Sequence, residues 1–459
     1  MFIGREKELK ILNEQINKKS SSTLIYGKRK IGKTTLIKEA CKATNKTFVY
    51  YECIKSTLDI NVKLLINELK KSNIISNSIT FNDNPLINLF KYLNELNKEI
   101  IIVIDEYPYL KQFENDKYID SIFQNIIDNY LLNINLIISG SHIGMMKDLL
   151  TEKNALFGRF NSVIELNELD YYSSSLFYSD LSAYDKVAFY SVFGGSPYIN
   201  EEINPKLSLK QNIINLILNQ NNKVFIYLDS LLLTDYANKE NIDRILSFLK
   251  NGKNKYSEIE SVVDPNKTGN LSKRLKPLLD MKIIEKMYPI NKKNDAKKVY
   301  YSINDNILRF YYTYIYENKS SFARYDAELF YDNFISDSIN IFIALHFEKI
   351  IIDYFWKLVN KGVLKNVIDI GPYYYDDKVN KKNGEFDVCI KYKNNKYDVI
   401  EVKYLKNKLD VNTVNKELEQ IKNISELEID KIGFVSINGF NNDINNLDIK
   451  IDGNDIYNV

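Results

Sequence analysis

Cysteine is nearly missing from this 459-residue chain: Cys41, Cys53 and Cys389 are the whole supply. An odd, scattered trio excludes a disulfide framework and a cysteine-based zinc cluster, and it suits a reducing compartment. Histidine is rarer still. His142 and His346 stand apart, neither in a metal-ligand pattern, so both read as structural. Proline occurs eight times, which together with abundant Ile, Asn, Lys and Tyr reflects base composition and says nothing about function. No apolar run approaches the roughly 20 residues that span a bilayer. The opening MFIGREKELK is charged by its fifth residue, unlike a secretion signal. Net charge is also small: 62 Lys and Arg stand against 60 Asp and Glu, giving +2. Any contact with nucleic acid would therefore need a local basic patch. These absences leave a cytoplasmic protein with no membrane partner, and a length that suggests about three domains at roughly 150 residues each.

In the first third, short apolar runs alternate with amphipathic stretches. The runs are Thr23–Tyr26, Thr47–Cys53, Ile100–Asp105 and Asn135–Ser139, and between them lie Asp59–Lys70, Pro85–Asn97 and Asp116–Leu132. Runs with little polar alternation suggest parallel strands buried on both faces. Strand–helix alternation predicts an α/β, doubly wound parallel sheet over residues 1–165. A helical lid is expected over 166–239, broken by the Gly-Gly of FGGSPYI. Residues 240–305 read helix, helix, helix, strand, strand, the order of a winged helix-turn-helix. Its third helix carries Lys273, Arg274 and Lys276, suited either to DNA phosphates or to a solvated face on a spacer. An aromatic-rich helical connector follows over 306–360, read as packing, and an α/β domain closes the chain over 361–459.

The chemistry begins at TLIYGKRKIGKTT. Gly27, Gly32, Lys33 and Thr34 satisfy G-x-x-x-x-G-K-[ST] between a strand and a helix. Such a loop offers backbone N–H groups and a helix N-terminus to phosphates, so Gly27, Lys28, Arg29, Lys30, Ile31, Gly32, Lys33, Thr34 and Thr35 are expected around ATP. Lys33 would reach the β- and γ-phosphates and the Thr34 hydroxyl would bind Mg2+. A second run, EIIIVIDEYPYL, ends a strand in Asp105 and Glu106. A carboxylate at that strand tip sits beside the phosphate loop. Asp105 is expected to hold Mg2+ and Glu106 to polarise the attacking water. Ser139 or Ser141, after the fourth run, is a candidate γ-phosphate sensor or a plain helix cap. Arg159 in LFGRF is a candidate arginine finger.

Taken in order, FIGREKEL, the phosphate loop, IVIDEYPYL, IISGS, LFGRF and GGSPYI resemble the archaeal-type ATPases, a branch of the AAA+/STAND P-loop ATPases. The resemblance spans nearly the whole chain. It implies that Gly4, Arg5 and Glu6 lie near the nucleotide base, that a winged helix follows the ATPase core, and that the chain ends in a restriction-endonuclease-like domain of the PD-(D/E)XK type. One departure is Phe157, where the family often has tyrosine before Gly-Arg.

The carboxyl end supplies residues for such a domain. Asp387 lies in EFDVCIKYK, and Glu401 and Lys403 flank Val402 in YDVIEVKY. Residues two apart in a strand share a face, and a hairpin can bring Asp387 beside Glu401. Paired carboxylates favour a divalent cation, Mg2+ or Mn2+, and a neighbouring lysine can act on a water, as in metal-assisted phosphodiester hydrolysis. This resembles the PD-(D/E)XK nucleases, although Phe386 replaces the preferred proline. The resemblance also implies a glutamate from a preceding helix, here Glu348. Two outputs stay open: ATP-driven action on DNA, or a signalling or scaffold ATPase whose winged helix and C-terminal domain only bind partners. Further copies of the chain are a third class of partner.

Overall fold

In the computed structural model, residues 2–458 are described except 112–115, 232–241, 251, 253, 266–268, 270, 294, 296–297, 378–381, 423, 425–426 and 445–446. The boundary expected at 239/240 lies outside the described residues. The chain divides into two compact units: residues 1–169 with 196–198, and residues 170–195 with 199–459.

The first unit is an α/β fold built on the expected apolar runs. Strands β1 (Ser21–Tyr26), β2 (Thr47–Glu52), β3 (Ile100–Asp105), β4 (Ile134–Gly140) and β5 (Ser162–Glu165) form one sheet in the order β2-β3-β4-β1-β5. Every pairing is parallel. Strands β1, β3 and β4 are buried along their whole length. Two apolar layers cover the sheet. One gathers Leu36, Ile37 and Ala40 of α2 (Lys33–Lys42) against Ile25, Ile101, Val103 and Ile137. The other brings Leu65, Leu89 and Phe123, from the helices Leu58–Lys71, Pro85–Glu95 and Asp116–Asn129, against Leu24, Ile102 and Ile138. Burial on both faces explains why these strands read as unbroken apolar runs.

In the second unit, helices Ile242–Leu249, Tyr256–Val263 and Leu271–Asp280 accompany a small antiparallel sheet of β6 (Asn254–Lys255), β7 (Ile284–Met287) and β8 (Tyr300–Ile303), ordered β6-β8-β7. A long helix, Ile339–Asn360, precedes a second five-stranded sheet: β9 (Val367–Asp377), β10 (Lys382–Tyr392), β11 (Tyr397–Lys403), β12 (Ile429–Ser436) and β13 (Ile449–Asp452), in spatial order β13-β12-β11-β10-β9. The first three run antiparallel; β12 and β13 add in parallel after the crossover helix Val411–Lys422.

The segment joining β7 to β8 rests on the edge strand β9. Ile290 N–H donates to Pro372 O at 2.9 Å, and the Asn291 side chain donates to Tyr374 O (2.8 Å) and accepts from Tyr374 N–H (3.3 Å). Ile290 is buried with Tyr373 and Phe386, and Tyr300 stacks on Tyr374 with ring centres 5.2 Å apart. Gly371 leaves room for this contact, since a Cβ there would stand 3.1 Å from the Ile290 methyl. The aromatic run 306–316 is buried in the same unit, as packing requires, but it is broken into short helical pieces where one helix was expected. His346 is buried and within 3.2 Å of Ser191 Oγ, with its pKa pushed well down by burial. Among the described residues no helix is long and apolar enough to cross a membrane.

Candidate nucleotide and carboxylate sites

The loop Gly27–Gly32 carries the chain from the end of β1 into α2. A Cβ at position 27 would lie 2.3 Å from Leu166 O, so only glycine fits. Gly32 adopts φ +96° as it caps α2, a conformation that favours glycine. Without phosphate, the Lys33 ammonium donates to the carbonyls of Gly27 and Lys28, both at 3.0 Å. Burial lowers its pKa, opposed by the carboxylates of Glu106 and Asp105. Lys28 is paired with Glu168 at 2.9 Å. Lys30 lies over the Tyr198 ring, and its carbonyl accepts from Ser196 Oγ at 3.3 Å. The Ser-Pro-Tyr of GGSPYI is therefore laid against the phosphate loop, where the sequence suggested only a turn between helices. Ile31 is buried and Thr35 exposed.

Asp105 ends β3 with its carboxylate buried and filled. Oδ1 accepts from Ser139 Oγ and from Glu106 N–H (2.9 Å); Oδ2 accepts from Thr34 Oγ1 (3.0 Å) and from the Tyr50 hydroxyl. Glu106 holds φ +51°, strained for a side chain with a Cβ, and its Oε2 accepts from Ser141 N–H (3.2 Å) and Oγ (2.8 Å). The two serines thus divide the work: Ser139 fixes Asp105 and Ser141 fixes Glu106. The donor set suits Mg2+, a hard cation that takes a hydroxyl, a carboxylate, waters and phosphate oxygens.

Arg5 lies beside the phosphate loop and Arg159 away from it. Arg5 is buried and binds the carbonyls of Ile31 (3.1 Å) and Asn167 (2.6 Å), so it tethers the phosphate loop from behind. Arg159 pairs with Asp128 at 3.1 Å, and its carbonyl accepts from Ser22 Oγ at the start of β1. That is the sheet end opposite the loop, about five strand residues or ~16 Å away along β1. Within one chain, Arg159 is not brought to the phosphate loop.

In the C-terminal sheet the β10–β11 ladder ends at the Val388–Ile400 pair, and Asp387 and Glu401 are the next residue on each strand, close enough for the Asp387 charge to act on Glu401. Asp387 Oδ2 accepts from Val402 N–H at 2.9 Å. Lys403 donates to Glu401 Oε2 at 3.0 Å and reaches Glu417 Oε1 at 3.1 Å. Burial, then the Asp387 charge, pushes the Glu401 carboxyl up to about 8. Burial works against the Lys403 charge, but the Glu401 and Asp387 carboxylates outweigh it and raise its pKa. Glu348 lies on the long helix, where its charge acts on the Tyr374 phenol together with Glu385 and Tyr300. The helical carboxylate at Lys403 is Glu417, which follows the strands in sequence. Among the described residues, no group of three or more His, Cys, Asp or Glu is disposed to hold a metal ion. Asp387 and Glu401 alone form a two-carboxylate set, enough for Mg2+ only with waters and substrate phosphates.

Loop, strand order and carboxylate define a P-loop ATPase fold in the first unit. Residues 2–203 match the family of ATPase domains predominantly from Archaea. Residues 311–420 match a family of archaeal and bacterial proteins of unknown function. An uncharacterized protein of Methanocaldococcus jannaschii, MJECL04, is 29% identical over 381 residues, 82% of either chain. The Walker-type ATPase PABY2304 of Pyrococcus abyssi is similar in fold, with TM-score 0.52 and 17% identity over 68% of this chain and 96% of its own. The Aeropyrum pernix ORC2 protein, solved in ADPNP–ADP complexes, has TM-score 0.43 and 13% identity over 69% and 95%.

Proposed function

We propose that this protein binds Mg-ATP at Gly27–Thr35, hydrolyses it with Glu106, and uses turnover to drive action on DNA by its second unit. The observation that supports hydrolysis is the Thr34–Asp105 contact, with Glu106 one residue on and aimed at Ser141. Thr34 and Asp105 would hold Mg2+, which when bound supplies positive charge against the phosphates. Lys33 exchanges its two carbonyl partners for phosphate oxygens. Glu106 leaves Ser141 to accept a proton from the attacking water, and the Ser139 bond keeps Asp105 in place meanwhile. Arg159, placed away from its own loop, would serve as an arginine finger only for a neighbouring copy.

For the second unit we read residues 242–303 as a winged helix-turn-helix and residues 339–457 as a PD-(D/E)XK-like domain. Supporting this are the helix–three antiparallel strands–helix–strand order and the meeting of Asp387, Glu401 and Lys403. Asp387 and Glu401 would hold a divalent cation between strand and phosphodiester, and Lys403 would orient water. The test is plasmid and single-stranded DNA incubated with the protein in Mg2+ or Mn2+, with and without ATP. Cleavage is expected, lost in Asp387→Ala and Glu401→Ala while ATP hydrolysis continues. ATP-dependent assembly with no cleavage of either DNA would favour the scaffold reading instead, to which the Lys403 bridge between Glu401 and Glu417 lends some support.

A further inference from the structure

The Tyr50 hydroxyl has no place in the mechanism above, yet it reaches the centre of the site. Tyr50 sits on edge strand β2, in register with Val103 of β3. Its ring packs with the apolar layer beneath α2, and Lys38 of α2 lies over it, 4.8 Å from the centroid. From there the phenol spans the width of β3. Its O–H approaches Thr34 Oγ1 at 3.3 Å and donates to Asp105 Oδ2. Thr34 Oγ1 spends its own proton on the same Oδ2, at 3.0 Å. The three oxygens form a closed triangle around the two groups that would hold Mg2+.

The electrostatics of that triangle are specific. Asp105 Oδ2 is a buried carboxylate oxygen beside the half-buried Thr34 hydroxyl that donates to it, and a divalent cation bound to both oxygens would bring positive charge there. A bound magnesium ion with its waters supplies that charge. Without it, the Tyr50 proton is the group that stands there. No shorter hydroxyl would do: serine or threonine on β2 falls several ångströms short of Asp105.

We propose that Tyr50 is a built-in competitor of the metal, a hydroxyl that donates to Asp105 Oδ2 beside Thr34 and must yield that bond when Mg2+ arrives with nucleotide. It rests on the reading of Thr34 and Asp105 as the Mg2+ site. Occupancy by metal then competes with an internal donor, and Tyr50 sets the Mg2+ concentration at which the site fills.

The experiment is binding of a non-hydrolysable ATP analogue to full-length Tyr50→Phe and parent, by calorimetry, across a Mg2+ series and in EDTA. The variant keeps the ring, its packing and the Lys38 contact, and a melting curve checks that it folds. Losing one hydrogen bond to a charged acceptor should lower the Mg2+ midpoint roughly ten- to a hundredfold. Affinity in EDTA should stay within twofold of the parent, since without metal nothing competes with the phenol for Asp105. An unchanged or higher midpoint overturns the proposal, the latter making Tyr50 a support for the metal instead. The underlying reading is tested separately by Asp105→Asn. If that variant leaves the parent's Mg2+ dependence untouched, the metal is not held at Thr34 and Asp105, whatever Tyr50→Phe does.

Discussion

Asp105 and Glu401 are both buried carboxylates at the end of a central strand, and they are kept in opposite ways. Asp105 is surrounded by neutral donors, three hydroxyls and a backbone N–H, and among the described residues no cation forms an ion pair with it. Glu401 has a second carboxylate opposite it and a lysine against it, and its carboxyl is still pushed up to about 8. Hydrogen bonds to the charged form stabilise it without adding charge, whereas a like-charged neighbour in a dry place forces a proton or a cation onto the pair. The first arrangement rests on neutral donors that a metal could replace. The second concentrates negative charge, which the Lys403 ammonium offsets.

The sharpest break between the two sites is kinetic. Glu106→Gln should bind ATP as the parent does yet hydrolyse it on the order of 10²–10⁴-fold more slowly in single turnover, the usual loss when a general base is removed. Equal rates would remove Glu106 from the reaction. At the other site, Lys403→Met removes the cation placed against Glu401. Unfolding by urea at pH 8 in EDTA should show a loss of up to about 3 kcal/mol, shrinking as pH falls and Glu401 takes a proton. A loss that is the same at pH 5 would mean that packing, not charge, is what Lys403 supplies.

Glu401→Gln tests the same charge from the other side. The folded carboxyl titrates near 8, above its unfolded value near 4.5. Its contribution to stability is therefore complete below about pH 4.5 and is lost as pH rises toward 8. The variant should lack that decline, so in EDTA its melting temperature gains on the parent's between pH 5 and pH 8. Parallel curves would refute the shifted carboxyl. The smallest effect belongs to Ser139→Ala, which takes one neutral donor of four from Asp105. About 1 kcal/mol should be lost, as measured by the same urea titrations.

Where a single element carries its own signal, the sequence was readable. Strand β3 reads as five apolar residues ending in Asp-Glu, and the phosphate loop is a contiguous motif whose glycines answer to φ and to Leu166. Strand β5 escaped notice because four residues at a sheet edge, one of them the exposed Val163, have no periodicity to detect. Strands β9 and β13 were missed too, the former lying in a Tyr-rich stretch that alternates poorly. Asp387, Glu401 and Lys403 could be linked because strand geometry relates neighbours in a hairpin. Glu417 and Tyr50 could not: no spacing rule says where a crossover helix or an edge strand will deliver one side chain. Arg5 and Arg159 show the converse. Each sits in a recognisable motif, and three-dimensional position sends one behind the loop and the other to the far end of the sheet.

The Ile290–Asn291 contact on β9 bears on how the protein stays in solution. Strand β9 is the border of a five-stranded sheet, and a bare border strand invites another chain to pair with it. The preceding hairpin covers that border, with Asn291 taking both the N–H and the C=O of Tyr374 as a neighbouring strand would. A fragment cut at residue 306 or 361 would lose this shelter, leave the Ile290 seat open beside Tyr373 and Phe386, and tend to polymerise along β9. Soluble expression of the C-terminal sheet calls for a fragment that begins upstream of β7.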